Sequence, residues 1–281
     1  MKSMKIMLAM VMGTLLVAAC LPEPLPVGDI PKLQPKIVVS SQIIPTQGLV
    51  VLITKSIGAL DAGRDSDPEA LLAQIVINNA KVTLQSSNQV DTLVNLGNGL
   101  YGGLTFDLAD GATYTLHVVT DSLGEVTASS QVKQRVPFQS ADASVYSNGY
   151  DSLASIDYSL NDPAGKNYYM INVQRFSRTQ DVNSLLSPRI FTRLKEDTDF
   201  DGQYFQEEFK VFFQDYSVGD TVAVFLSNIN KDYYDFMKLR NDNRYNIADF
   251  ASEPTNYPTN VNGGYGFFNL HVPDVRLFVL K

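Results

Sequence analysis

The chain has 281 residues, with 22 basic and 30 acidic side chains, a formal net charge of −8, two histidines and one cysteine. An acidic surface repels phosphate backbones, which excludes nucleic acid as an expected partner. With only His117 and His271, a histidine-based hydrolase or a polyhistidine zinc site has too few residues to assemble.

Residues 1–19 read as a signal peptide: Lys2 and Lys5 form the charged region, Ile6 to Val17 the apolar stretch, and Ala18-Ala19 the small residues before the cut. An apolar run of about a dozen residues is too short to cross a bilayer, which takes ~20. Cys20 follows Leu16-Val17-Ala18-Ala19 directly, as in a bacterial lipobox, where the thiol is acylated and becomes the new amino terminus. Palmitate is among the expected acyl chains. Exported cysteines usually pair, so acylation accounts for a single one. Removal of the signal takes Lys2 and Lys5 with it and leaves 20 basic against 30 acidic residues, a net of −10. Residues 20–35 then hold the lipidated cysteine and a spacer made extended by Pro22, Pro24, Pro26, Pro31 and Pro35.

From Ile37 the chain is a series of short apolar or alternating runs rich in Val, Ile, Thr and Leu, the residues that suit a pleated surface. Strands are expected at Ile37 to Ser40, Leu49 to Thr54, Ala80 to Leu84, Thr92 to Leu96, Tyr114 to Thr120 and Glu125 to Val132. Asn98-Gly99, Gly102-Gly103, Asp110-Gly111 and Leu123-Gly124 supply turn chemistry between them. Such spacing suggests a β-sandwich, immunoglobulin-like or transthyretin-like, over residues 36–136. Pro68 to Gln74 is expected to add a helical turn or two, and His117 falls on an alternating strand as a surface or hydrogen-bonded residue.

Val136-Pro137 marks a boundary, beyond which lie 12 of the 14 tyrosines. Residues 137–281 read as a second β-rich domain, with strands at Ser155 to Leu160, Tyr168 to Phe176, Arg189 to Leu194, Phe209 to Phe213, Thr221 to Ser227 and Leu277 to Leu280. One helix is expected near 229–241, where Ile229, Tyr233, Phe236 and Arg240 recur at helical spacing and Asn228 or Asn230 offers a cap. Asn241 to Gly266 reads as a long irregular connection. The fold class is therefore mainly β: a sandwich, then a β-rich domain carrying one helix.

Five stretches together resemble a known family: Pro35-Lys-Ile-Val-Val-Ser40; Asn79-Ala-Lys-Val-Thr-Leu84 with Gly99-Leu-Tyr101; Asp162-Pro-Ala-Gly-Lys-Asn-Tyr-Tyr169; Gly219-Asp-Thr-Val-Ala-Val-Phe-Leu-Ser-Asn-Ile229 with Tyr233-Tyr234; and Asn260-Val-Asn-Gly-Gly-Tyr-Gly-Phe-Phe268. In this order they are similar to a Bacteroidota outer-membrane lipoprotein family catalogued as domain-of-unknown-function family 4249. The resemblance implies an anchored all-β protein that accompanies SusC-like TonB-dependent receptors, and it carries over no catalytic residue. Members commonly show an Asn-Pro-Phe-like step where this chain has Asp249-Phe-Ala-Ser-Glu-Pro254.

The sharpest local motif is the run from Asp197 to Glu208. Asp197, Asp199 and Asp201 stand at alternate positions, Gly202 permits a bend, Gln203 offers a carbonyl and Glu208 falls at the twelfth position, the ligand order of a calcium loop. The competing reading is an acidic hairpin turn, because the flanking runs are strand-like. Tyr168, Tyr169, Tyr233, Tyr234, Tyr257 and Tyr265 are candidates for a ligand or partner surface, since tyrosine joins apolar area to a hydroxyl. No nucleophile elbow and no phosphate loop occurs, and the sequence does not select a carboxylate pair for glycoside hydrolysis.

The expected protein is a non-enzymatic accessory lipoprotein, lipid-anchored through Cys20 at the outer membrane, with the cell surface favoured over the periplasmic face. It binds a TonB-dependent transporter or its cargo and needs no cofactor. A calcium-dependent adhesin or glycan-binding lipoprotein is the alternative, and a surface hydrolase the third reading.

Overall fold

Alternate side chains decide the first sheet. In β1 (Ile37–Ile44), Ile37 and Val39 are buried while Ser40 faces out; in β3 (Lys81–Gln85), Val82 and Leu84 are buried between exposed Lys81 and Gln85. The same two-residue period runs through β6 (Thr113–Thr120), where Tyr114, Leu116 and Val118 point inward. With β2 (Gly48–Lys55), β4 (Val90–Gly97), β5 (Leu100–Gly102) and β7 (Gly124–Gln131), these strands match the runs expected, and β5 is an addition. The computed structural model describes residues 34–44, 48–58, 67–104, 107–176, 190–212, 215–244 and 256–281. The signal peptide, Cys20, nearly all of the spacer, Arg189 and the Asp249 to Pro254 step lie outside the described residues. The expected helical turns appear as α1 (Pro68–Ile75).

The turn between β4 and β5 shows why Asn98-Gly99 reads as turn chemistry. Both residues have positive φ, 51° and 74°, as a tight two-residue hairpin turn requires. A side chain at Gly99 would also meet the Ile53 carbonyl, which lies 2.6 Å from the position of its missing Cβ.

Two short strands from late in the chain complete this sheet. β14 (Val261–Asn262) pairs antiparallel with β7, and β15 (Tyr265–Phe267) pairs parallel with β1. The order is β14-β7-β6-β3-β4-β5-β2-β1-β15, and only Gly263 and Gly264 separate the strands at its two ends. The sheet expected as a sandwich is thus bent nearly into a barrel around Val39, Ile53, Leu84, Leu116 and Val118, with Phe268 and Leu270 filling the same core.

The second core lies between two further sheets. One is β12-β9-β8, built from β8 (Phe138–Ser147), β9 (Ser152–Asn161) and β12 (Tyr204–Val211); the other is β11-β10-β13-β16, built from β10 (Tyr168–Arg175), β11 (Phe191–Glu196), β13 (Thr221–Asn228) and β16 (Asp274–Val279). Ile156, Tyr158 and Leu160 of β9 share this core with Ile171 and Val173 of β10 and Val222, Val224 and Leu226 of β13. Tyr158 makes edge contacts with Phe138, Phe205 and Phe209 at centroid distances of 6.0, 6.2 and 6.0 Å. Each such pair adds about 0.5–1.5 kcal/mol beyond the area buried.

β13 is buried along nearly its whole length because its other face is covered as well. The helix α2 (Lys231–Arg244) packs against β10 and β11 there, placing Tyr233, Tyr234 and Met237 in one cluster with Tyr168, Met170 and Phe267. Asn228 and Asn230, expected as caps, send their side-chain amides to Asn167 Oδ1 and Gln134 O, and to Gln131 O.

The boundary expected at Val136-Pro137 coincides with a change of core: Val132 belongs to the first and Val136 to the second. Even so, Pro35–Lys281 forms one compact unit, because the chain returns to the first sheet through β14 and β15. Two polar braces hold this return. Ser41 Oγ donates to the Asn269 carbonyl at 2.9 Å and accepts its N–H at 2.8 Å, and Asp274 Oδ2 accepts the Phe138 N–H at 2.9 Å.

Candidate functional site

The acidic run folds as the connection between β11 and β12, opening with a 3-10 turn at Asp197–Asp199. It lies against the β9 to β10 connection, and the two loops exchange backbone donors for carboxylates. Asp197 Oδ2 accepts the Asn167 N–H at 2.5 Å, Asp201 Oδ1 accepts the Gly165 N–H at 2.8 Å, and Asp162 Oδ2 accepts the Gly202 N–H at 2.8 Å. Asn167 closes its own loop by donating to the carbonyls of Pro163 and Gly165.

Asp162, Asp197 and Asp201 each offer an oxygen within 4.8 Å of the others. A cation is already there: Lys166 Nζ lies 2.9 Å from the fully buried Asp197 and 2.8 Å from Glu196. The Glu196 contact, with Asp197 adding to it, raises the lysine pKa, and Lys166 in turn lowers that of Glu196. The calcium set expected from spacing is not gathered. Asp199 and Gln203 are exposed, the Gln203 carbonyl accepts the Asp162 N–H, and Glu208 stands on β12 beside Ser155 and Lys210. A strand carries Glu208 away from the turn at ~3.3 Å per residue, which is why a helix-flanked ligand order does not close here. Asp162, Lys166 and Asn167 have no place in that motif. Their signal was the Asp-Pro-Ala-Gly-Lys-Asn stretch, which reads as family likeness until the facing loop is seen.

The six tyrosines separate by burial. Tyr169 is fully buried in the second core, with its hydroxyl on Asp162; burial and then that carboxylate raise its pKa. Tyr168 and Tyr234 meet at a tilt between β10 and α2, with ring centroids 5.0 Å apart. Tyr233 is buried against Phe267, and burial lifts its pKa to about 12 although the Arg240 charge acts in the opposite direction. Beside it His271 is buried as well, its Nδ1 facing the Asn269 amide nitrogen at 3.0 Å, and burial lowers its pKa to about 4. These residues are packing, not surface.

Tyr257 and Tyr265 differ: they are 41% and 46% exposed and line one groove. The groove has a volume of about 460 Å³ and runs between α2 and the segment before β15, with Phe236, Arg240, Pro258 and Thr259 as further walls. Phe236 fixes the floor by meeting Tyr257 edge-on at 6.0 Å and Phe267 at 4.9 Å. Asn243 donates to the Tyr257 hydroxyl at 3.3 Å, and Lys36 Nζ sits 5.1 Å from the centre of the Tyr265 ring. A largely apolar trough with a few polar groups is the usual form of a ligand site. Phe236 and Arg240 were legible as helix positions; Pro258 and Thr259 carried no signal.

No curated protein matches the chain. The family described as Domain of unknown function (DUF4249) matches residues 25–273, from the spacer through both cores to the residue before β16. That span takes in all five motif stretches, so the nearly closed sheet, the clamped loops and the helix with its groove are features of a member of this family. The chain belongs to the DUF4249 family.

Proposed function

We propose that this protein is a lipid-anchored accessory protein of the outer membrane that binds a TonB-dependent transporter or its cargo without bond chemistry. The observation that carries the reading is the open aromatic groove beside α2, where Tyr257 and Tyr265 stay exposed while the other candidate tyrosines are buried. Cys20, at the end of a lipobox-like signal, supports the anchor, and the proline-rich residues after it support reach. Display on the cell surface would bring the groove to where a receptor's cargo passes. A binding role is also supported by His271, which is sealed against Tyr233 with Asn269 on its ring and so does not reach a substrate.

The test is capture of the full lipidated chain from native outer membranes in mild detergent. A large β-barrel receptor is expected to co-purify, and its yield is expected to fall when Tyr257 and Tyr265 are both changed to alanine. Absence of any barrel protein overturns the transporter reading.

A further inference from the structure

We propose that the groove beside α2 binds a small organic carboxylate with a flat apolar body, its carboxylate held by Arg240 and its body against Phe236, Tyr257 and Tyr265. This names a ligand class for the site of the proposed function and rests on that reading only for its setting at the membrane.

The argument begins with the arginines. Among those whose side chains are described, Arg135 and Arg276 pair with Asp274, Arg175 with Asp220 and Arg193 with Glu207. Arg240 is the exception: among the described residues it has no carboxylate and no hydrogen-bond acceptor, in a chain of net charge −8. It lines the groove, and no aspartate or glutamate among the described residues lines the groove with it. A guanidinium with no ion-pair partner among the described residues, set in an aromatic trough, presents a local positive potential to small anions.

The chemistry of the walls narrows the class. A guanidinium offers a planar fork of donors that matches a carboxylate with two parallel hydrogen bonds. One fork suits a single carboxylate, and Lys36, over the Tyr265 ring, adds positive potential at that side of the groove. The three aromatic rings and Pro258 supply flat apolar area, and the volume of about 460 Å³ falls in the range of small-molecule sites. Thr259 and the tyrosine hydroxyls add neutral donors at the rim.

The test uses the purified full chain in detergent, titrated by calorimetry with 1-naphthaleneacetate and with 1-naphthaleneacetamide, which keeps the ring and removes the charge. The acid is expected to bind one saturable site about tenfold or more tighter than the amide, as loss of a charged hydrogen bond implies. Arg240→Gln is expected to bring the acid down to the level of the amide, Arg240→Lys to keep part of the preference, and Tyr257→Ala to weaken both ligands alike. Because Arg240 is exposed and makes no ion pair among the described residues, its two variants are expected to keep the wild-type Tm. Equal binding of acid and amide, an acid preference that survives in Arg240→Gln, or no binding of either at millimolar concentration overturns the proposal. Capture of a barrel receptor by a protein that ignores the acid leaves the accessory role standing and the carboxylate assignment overturned.

Discussion

Asp162 joins two loops through one side chain: its Oδ2 accepts the Gly202 N–H at 2.8 Å and its Oδ1 accepts the hydroxyl of the buried Tyr169. The carboxylate is itself buried, so Asp162→Ala strands the buried Tyr169 hydroxyl away from water and releases the Gly202 N–H, which belongs to an exposed residue. A stranded donor costs about 1–3 kcal/mol, and the variant is expected to lose about that much in urea unfolding. Asp162→Asn keeps an acceptor and is expected to lose less than half as much. Equal stability of Asp162→Ala and wild type would show that the loops are not held at this point.

Lys166 lies beside a carboxylate with no side-chain exposure, whereas Lys210 pairs with Glu208, whose side chain is 58% exposed. Removing a cation from a buried anion is far more costly than removing one from a solvated pair. Lys166→Met is therefore expected to lower Tm clearly and Lys210→Met to leave it nearly unchanged. Since Lys166 already pairs with Asp197 and backbone N–H groups already occupy Asp162 and Asp201, millimolar calcium is expected to leave the wild-type Tm where it is. A calcium-dependent rise in Tm would show that the ion displaces the lysine.

Gly266 has φ +94°, and its absent Cβ would fall 1.9 Å from the Val39 carbonyl oxygen, in the pairing of β15 with β1. Gly149 has a similar φ of +89° with open space around it. Gly149→Ala is expected to cost about 1–2 kcal/mol from backbone strain alone. Gly266→Ala must also push the two strands apart, and a loss above about 3 kcal/mol is expected. Comparable losses for the two variants in chemical denaturation would contradict the close approach.

His271 has its pKa lowered from 6.5 to about 4 by burial. Between those values the unfolded chain binds a proton that the folded chain does not, so stability falls as pH drops from about 6.5 to about 4 and this contribution is flat below. A gap of one pH unit between the folded and unfolded pKa values is worth ~1.4 kcal/mol, giving about 3 kcal/mol over the window. Wild type and His271→Asn unfolded in urea at pH 7, 5.5 and 4 test it. The stability difference between them is expected to change steadily across that range, with wild type losing ground as the pH falls, and a constant difference would rule out the buried neutral ring.

Strand positions were legible where apolar residues alternate or run without a break, as in Tyr114 to Thr120 and Thr221 to Ser227. β8 was not, because Gln139, Ser140, Ala141 and Asp142 carry little apolar signal and the strand is defined by its pairing with β9. β14 and β15 were hidden for a related reason: strands of two and three residues are set by the edges they meet, not by their own pattern. The acidic run announced ligand chemistry by its spacing alone, and spacing does not reveal that Lys166 and the backbone of the facing loop already use those carboxylates. Of the groove, the sequence showed Tyr257 and Tyr265 as candidates. It did not show that Tyr233, so similar in setting, is turned into the packing beneath them.

Because Asn260 to Phe268 ties the two ends of the first sheet together, that sheet reaches its final form only after this late segment has been made. Until then β1 and β7 present unpaired edges, and the core lacks Phe268 and Leu270. Folding of the first sheet therefore waits on the end of the chain, and a truncation just before Asn260 is expected to destabilise the half of the protein that is synthesised first.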